Sequence, residues 1–209
     1  MKLVIIGASR GVGKALLDCA VQEGHDIRVL ARSPERVGGY PENVEIIKGD
    51  ILDLETLKQA VAGADVVCSC IGVPITFSKV DVFSRGARNI IEAVGKNDGQ
   101  RYITVSGIGA GESKGHGGFL YDAIFKPLFL KTIYEDKDRE EELLKKSDIA
   151  WTIVRPAGMT NGKRTGNYRV IDDLTGVTAK RISRHDVADF MLKQAVEPTY
   201  VGKAVLLTY

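Results

Sequence analysis

The chain has little of what disulfide-stapled, metal-binding and membrane-spanning proteins are built from. Among its 209 residues stand three cysteines, three histidines and one tryptophan. Cys19, Cys68 and Cys70 are odd in number and form no Cys-x-x-Cys pair. Neither a disulfide framework nor a metal cluster is expected, and the cysteine usage fits a reducing compartment. Cys68 and Cys70 lie two apart in an apolar stretch, so both face one side of a strand as small buried hydrophobes. No apolar run approaches the roughly 18 residues of a membrane span. The first apolar run starts right after Met1 and Lys2, so no leader is expected. The net charge of +2 is small and the basic residues are scattered. That argues against a nucleic-acid or membrane-surface partner. A cytoplasmic protein of ordinary composition is the expectation, with 44% apolar and 27% charged residues. The length suits one domain over 1–209. Oligomeric state is not legible.

Apolar runs alternate with helical patterns to the end of the chain. Strands are predicted at Lys2–Ile6, Asp26–Ala31, Val44–Lys48, Asp65–Ser69, Arg101–Ser106, Ala150–Arg155 and Ala204–Thr208. Helices are predicted at Val12–Gly24, Leu54–Ala62, Phe83–Lys96, Phe119–Leu130, Glu135–Lys146 and Ser183–Ala195, with Asp53 and Ser183 as N-caps. Pro127 should kink or break the fourth of these helices. The alternation predicts an α/β fold, a doubly wound parallel sheet of the Rossmann type with helices on both faces. Its ligand crevice lies at the carboxyl ends of the strands.

The richest local signal is at the start. The run Leu3–Ile6 reads as a buried parallel strand, and Gly7, Gly11 and Gly13 follow it. These glycines permit a sharp turn and a close approach of backbone to a pyrophosphate, at which the next helix points its first amides. Three glycines alone are a weak signal. Set between a strand and a helix in a βαβ unit, they read as a dinucleotide site. NAD sites usually carry an acid at the end of the second strand; this chain has Arg32 there, with Ser9 and Arg10 inside the glycine turn. Two guanidinium groups and a hydroxyl can surround a 2′-phosphate that a carboxylate would repel. The expected cofactor is therefore NADP(H). Asp50, after the third strand, either accepts from the adenine amino group or caps the next helix. Cys70-Ile-Gly72 ends the fourth strand, where Gly72 lets the backbone lie beside the cofactor ribose.

The pattern Gly7-Ala-Ser-Arg-Gly11-Val-Gly13 resembles the fingerprint of the short-chain dehydrogenase/reductase superfamily, with Ile6 in place of the usual preceding Thr. Gly49-Asp50, Val105-Ser-Gly-Ile-Gly-Ala-Gly111, Trp151-Thr-Ile-Val-Arg-Pro156 and Ile182-Ser-Arg-His-Asp-Val-Ala188 resemble its atypical NAD(P)H-binding, NmrA-like branch, which includes biliverdin-IXβ reductase/flavin reductases. The resemblance implies that Gly7, Ser9, Arg10, Gly11, Val12 and Gly13 line the phosphates, with Arg32 and Ser33 completing the pocket. It implies that Asp50 and Ile51 hold the adenine, that Ser106 stands near the nicotinamide, and that Pro156 lies against the carboxamide. Lys137 falls at the family lysine. The superfamily's Tyr-x-x-x-Lys pair is absent: Tyr134-Glu-Asp-Lys137 is spaced by three, and Ile133 holds the tyrosine position.

A ring acceptor such as a flavin takes hydride at nitrogen and its proton from water, so orientation does most of the work. A ketone needs an acid placed on its oxygen. The missing tyrosine pair favours the first chemistry. The reading is an NADPH-dependent oxidoreductase passing hydride to a planar acceptor, flavin- or tetrapyrrole-like, with Ser106, Lys137 and Tyr134 as candidate catalytic residues. Two alternatives stand beside it: a non-catalytic NADP(H)-binding redox sensor, and a sugar or small-metabolite epimerase-dehydratase. Phe119, Tyr121, Phe125, Phe129 and Tyr134 either stack on the acceptor or pack on the sheet. The glycine-rich segment 107–118 is a mobile lid or a long turn, and His116 within it a solvated histidine or a proton donor. Lys163 and Arg164 attract an acidic substrate or belong to a solvated turn. Arg32→Glu should weaken NADPH binding by about 1.5–3 kcal/mol and NADH much less, as read by equilibrium titration; equal losses would remove the 2′-phosphate assignment.

Overall fold

A computed structural model describes residues 1–95 and 99–209. The elements run β1 (Lys2–Ile6), α1 (Gly11–Gln22), β2 (Asp26–Ala31), β3 (Val44–Lys48), α2 (Leu54–Val61), β4 (Val66–Ser69), α3 (Val82–Val94) and β5 (Arg101–Val105). A π-helix (Tyr121–Leu130) leads into α4 (Lys131–Lys145). Then come β6 (Ala150–Pro156), β7 (Gly158–Thr160), β8 (Arg169–Ile171), β9 (Arg181–Ser183), α5 (Arg184–Val196) and β10 (Lys203–Thr208). The main sheet has the order β3-β2-β1-β4-β5-β6-β10-β8, parallel except for β8 against β10; β7 and β9 form a small parallel pair. No helix among the described residues is long and apolar enough to cross a membrane.

All seven predicted strands form, each within one residue of its predicted bounds. Their side chains alternate between two cores because a strand has period two. Leu3 and Ile5 pack with Leu16 and Leu17 of α1 and Phe190 of α5. Val4 and Ile6 pack with Leu57 of α2, Ile90 of α3 and Leu144 of α4. Cys68 and Cys70 face the α1/α5 side, as their spacing predicts. Burial pushes the Cys68 thiol up to about 12, so it stays a neutral core group. The chain winds outward from β1 in both directions, and the strand order reverses between β1 and β4. That reversal opens the crevice at the carboxyl ends.

The helices differ more. Asp53 and Ser183 do cap α2 and α5, each accepting from backbone amides of the first turn. Lys96, the predicted last residue of α3, lies outside the described residues. The segment predicted as an α-helix over Phe119–Leu130 is π-helical from Tyr121, with Pro127 inside it. In an α-helix the proline ring would collide with the carbonyl four residues back; the wider winding relieves that collision. α4 then starts at Lys131, one turn before the predicted Glu135, which places Tyr134 in the same helix as Lys137. Strands β7, β8 and β9 are three residues each, too short for any periodicity to show.

α4 is positioned by polar groups as much as by apolar ones. The fully buried Asp136 accepts from the backbone amides of Phe83 (2.8 Å) and Ser84 (3.3 Å), capping α3 from a neighbouring helix. Ser84 Oγ and the Arg139 guanidinium complete its shell. Glu141 and Arg155 of β6 form a buried ion pair that also takes Glu112, 2.6 Å from Arg155. Asp136→Ala is expected to lower stability by about 2–4 kcal/mol, because it leaves buried helix donors unsatisfied. A denaturant midpoint that drops with an unchanged m-value is the expected reading; an unshifted midpoint would show that the cap carries no load.

Candidate active site

Two of the glycines of the first turn are required by close contacts and one by its backbone conformation. Gly7 has φ +87°, and a Cβ there would stand 2.8 Å from the Cys70 carbonyl oxygen. A Cβ on Gly13 would lie 2.2 Å from the Gly7 carbonyl oxygen, so α1 can approach β1 this closely only with glycine. Gly11 has φ +62° and is otherwise open; its Cβ would approach only the Arg184 side chain, at 3.9 Å. Unlike α2 and α5, α1 has no side-chain cap and no acid in its first turn. Its first amides therefore face the crevice unpartnered by side chains, an arrangement that attracts an anion. Ser9 and Arg10 are exposed beside it, whereas the Val12 side chain is in the core, leaving its backbone to the crevice.

The groups predicted for the adenosine end are arranged along the neighbouring strand ends. Arg32 is 81% exposed and its Nε lies 3.9 Å from Asp50 Oδ2. So exposed a pair contributes little and can open for a phosphate. Asp50 Oδ1 also accepts from the Leu52 amide, forming a turn. Ser33 precedes a short 3₁₀ turn, with no side-chain bond to it. The Ile51 side chain is buried against Gly86 of α3, so only its backbone borders the crevice. Cys70 turns its thiol toward Met191 (3.8 Å) and its carbonyl toward Gly7; Gly72 is exposed.

The end of β5 gathers the other predicted groups onto three consecutive residues. Lys137 Nζ donates to the Val105 carbonyl (3.0 Å) and lies 4.1 Å from the Phe83 ring centroid. Ser106 is buried, its amide held by the Val154 carbonyl (2.7 Å), and its hydroxyl has no partner within the protein. A Cβ on Gly107 would lie 2.6 Å from the Tyr134 hydroxyl, which accepts from Tyr121 at 2.7 Å. Burial holds Lys137 below the ordinary lysine value, opposed by Glu140, and pushes the Tyr134 phenol up. Glu140 is buried beneath them: one carboxylate oxygen accepts from Thr104 (2.9 Å) and the other is unpartnered. Pro156 closes β6 nearby, its carbonyl accepting from Ile108 (3.0 Å). The unpaired buried hydroxyl and the buried ammonium lie at the carboxyl end of β5, and the glycine-built anion cradle at that of β1, with β4 between them; together they fit a dinucleotide laid along that edge of the sheet.

Several expectations change. Arg164 is bound to Asp189 (2.7 Å) and Glu23 (3.3 Å), so its segment folds back on α1 and α5 instead of facing an acidic substrate. The segment 107–118 is bonded to α4 and β6: the Gly111 amide donates to Asp138, Lys114 pairs with Asp138, and Glu112 reaches Arg155 of β6. His116 faces the Val177 carbonyl (2.8 Å). In the π-helix Tyr121 is half-buried and packs on the core, whereas Phe125 and Phe129 are exposed with their rings tilted against each other, and Phe119 before them is 80% exposed. Sequence reasoning gives Glu140 and Arg184 no role in the site, and Tyr121, read there as a stacking or packing aromatic, is the donor to Tyr134. Glu140 is three residues past Lys137, one turn along the same helix face, and that spacing was the available signal. A hollow of about 710 Å³ lined by Glu112, His116 and Trp151 lies apart from this crevice.

A family model described as NAD(P)H-binding matches residues 7–198. The chain is 27% identical over 217 residues to an uncharacterized sugar epimerase, YhfK, of Bacillus subtilis, covering all of this chain and 94% of that one. The crystal structure of the oxidoreductase ylbE from Lactococcus lactis superposes with a TM-score of 0.83 at 26% identity, covering 100% of this chain and 90% of that chain. ChuY, an anaerobillin reductase from Escherichia coli O157:H7, shares the fold with a TM-score of 0.81 at 22% identity, over 100% of this chain and 97% of that chain.

Glu140 gives the site a pH signature. Burial raises its carboxyl from the ordinary 4.5 to about 7, with Lys137 pulling the other way. A carboxyl whose pKa rises on folding holds its proton more tightly in the folded chain. The stability it supports is complete below 4.5 and is lost as pH climbs through about 7. Glu140→Gln stays neutral, so its stability relative to the wild type should rise across that window by about 3 kcal/mol. Urea melts at several pH values measure this; a pH-independent difference would contradict it.

Proposed function

We propose, from the premise that this chain belongs to the NAD(P)H-binding family, that it is an NADPH-dependent reductase of a planar, flavin- or tetrapyrrole-like acceptor. The observation that carries the reading is the convergence of Lys137, Ser106 and Tyr134 on residues 105–107, across the crevice from the glycine turn. The nicotinamide supplies a hydride when bound. The chain's residues do the rest. The α1 amides bind the diphosphate; Ser9, Arg10, Arg32 and Ser33 bind the 2′-phosphate; and Asp50, with the Ile51 backbone, meets the adenine. Cys70 and Gly72 let the backbone run beside the cofactor. Lys137 orients the ribose, and the Ser106 hydroxyl donates to whichever oxygen comes into reach. Pro156 forms the wall behind the carboxamide.

The Tyr134 hydroxyl is engaged by Tyr121 and buried. A buried phenol with a raised pKa holds its proton, so its role here is to orient the site, and water supplies the proton that accompanies hydride. That division suits a ring acceptor more than a ketone. Exposed Phe119, Phe125 and Phe129, with Phe77 (77% exposed) on the facing loop, provide an apolar surface beside the crevice. The ring-reducing names of two fold neighbours, ChuY and a putative NADH-flavin reductase from Streptococcus pneumoniae, agree with the reading at the level of fold analogy.

The name of YhfK favours a second reading, a sugar epimerase. Following NADPH absorbance separates the two. Protein-dependent oxidation of NADPH on adding free flavin, faster than with NADH, is the expected outcome. Tight NADPH binding with no oxidation by flavins or quinones would overturn the reductase reading in favour of a sensor. Cofactor retained unchanged through turnover of a sugar nucleotide would favour the epimerase.

A further inference from the structure

Arg184 opens α5, far from the glycine turn in sequence and adjacent to it in space. Its Cδ and Nε lie 3.9 and 4.0 Å from where a Gly11 Cβ would stand. Its Nη1 donates to the Asn161 side-chain oxygen (2.7 Å) and lies 3.5 Å from the Met159 carbonyl. Both acceptors are neutral, and no carboxylate among the described residues pairs with this guanidinium. Two other arginines of the chain contrast with it: Arg164 is neutralised by Asp189 and Glu23, and Arg155 by Glu141 and Glu112. An arginine has five donors in a rigid fork and matches phosphate oxygens in pairs. Here the fork is held by one edge, beside the turn, with its charge uncompensated.

We propose that Arg184 is a ligand of the cofactor's diphosphate and ties the phosphate turn to the segment following β6. The inference rests on the cofactor reading above and adds a residue to it. The second glycine of such a turn is the one whose missing side chain lets the diphosphate approach the backbone. Gly11 occupies that place, so a group leaning on Gly11 meets the diphosphate rather than the 2′-phosphate at the end of β2. The same guanidinium holds Asn161 and the Met159 carbonyl, at the end of the β7 strand that follows Pro156. Binding of the diphosphate thus draws on the nicotinamide side of the crevice through one side chain.

Calorimetric titration of the intact protein tests this. Arg184→Ala should weaken NADPH and NADH by the same factor, on the order of tenfold or more for one lost charge-assisted contact. ADP, which carries a diphosphate, should weaken likewise, and 2′-AMP, which has none, should bind as to the wild type. Arg184→Lys keeps the charge without the fork and should fall between. The ligand-free melting temperature, measured alongside, shows whether the variant is folded; Arg184→Gln, which keeps part of the stem, replaces Ala if it is not. Unchanged affinity for both dinucleotides overturns the inference, as does a loss confined to NADPH and 2′-AMP, which would move the arginine to the ribose phosphate. A wild-type chain that binds neither dinucleotide overturns the cofactor reading itself, whereas wild-type binding with an unaffected Arg184→Ala overturns this inference alone.

Discussion

The Gly7 carbonyl and the Gly13 α-carbon stand too close for any side chain between them. That contact is what the crevice depends on. It presses α1 against the end of β1 and aims the first amides of the helix across the carboxyl edge of the sheet. The same compactness brings Gly7 under the Cys70 carbonyl, so the turn is clamped by the strand on the far side of the topological switch. A methyl group at either glycine meets backbone, which cannot swing aside as a side chain can. With no cap on α1, the amides stay available, and the exposed arginines around the turn add positive potential without filling it.

Opposite the turn, α4 is a helix whose buried face is unusually polar. Asp136, Lys137, Glu140 and Glu141 are all buried. Each is matched to a different neighbour: the start of α3, the end of β5, Thr104 within β5, and Arg155 of β6. Burying charge is costly unless it is paired, and an apolar helix of the same volume would be cheaper. What the polar face provides is position. An apolar helix can slide by a fraction of a turn; one that must meet a helix start, a strand end and a guanidinium at once has a single register. Lys137 reaches the Val105 carbonyl because of that register, and Glu140 moderates the burial of its charge.

Much of the fold was legible because its signals are local. Strand runs of β-branched residues, a glycine turn between strand and helix, and the caps at Asp53 and Ser183 each operate within a few residues. The candidate cofactor end rests on equally local signals, since Gly7, Arg10, Arg32 and Asp50 lie in the short turns after β1, β2 and β3. The π-helix was not, because Pro127 announces a disturbance of an α-helix without saying whether the chain breaks or widens. Arg164 illustrates the opposite failure: a basic residue in a polar loop looks free to meet a substrate, and only its distance to Asp189 shows that it is already engaged.

The order of the seven long strands, the need for glycine at 13, and the absence of an acid at the end of β2 were determined by sequence alone, because each depends on steric or charge rules that act along a short stretch of chain. Which charges are buried was decided only by tertiary structure. Glu135–Lys146 reads as a charged helix in which only Lys137 is assigned a role, yet the fold turns Asp136, Glu140 and Glu141 inward with it, and it carries Arg184 to the side of Gly11 across more than half the chain. Pairing energies of that kind belong to distances between elements, and those exist only once the sheet is wound.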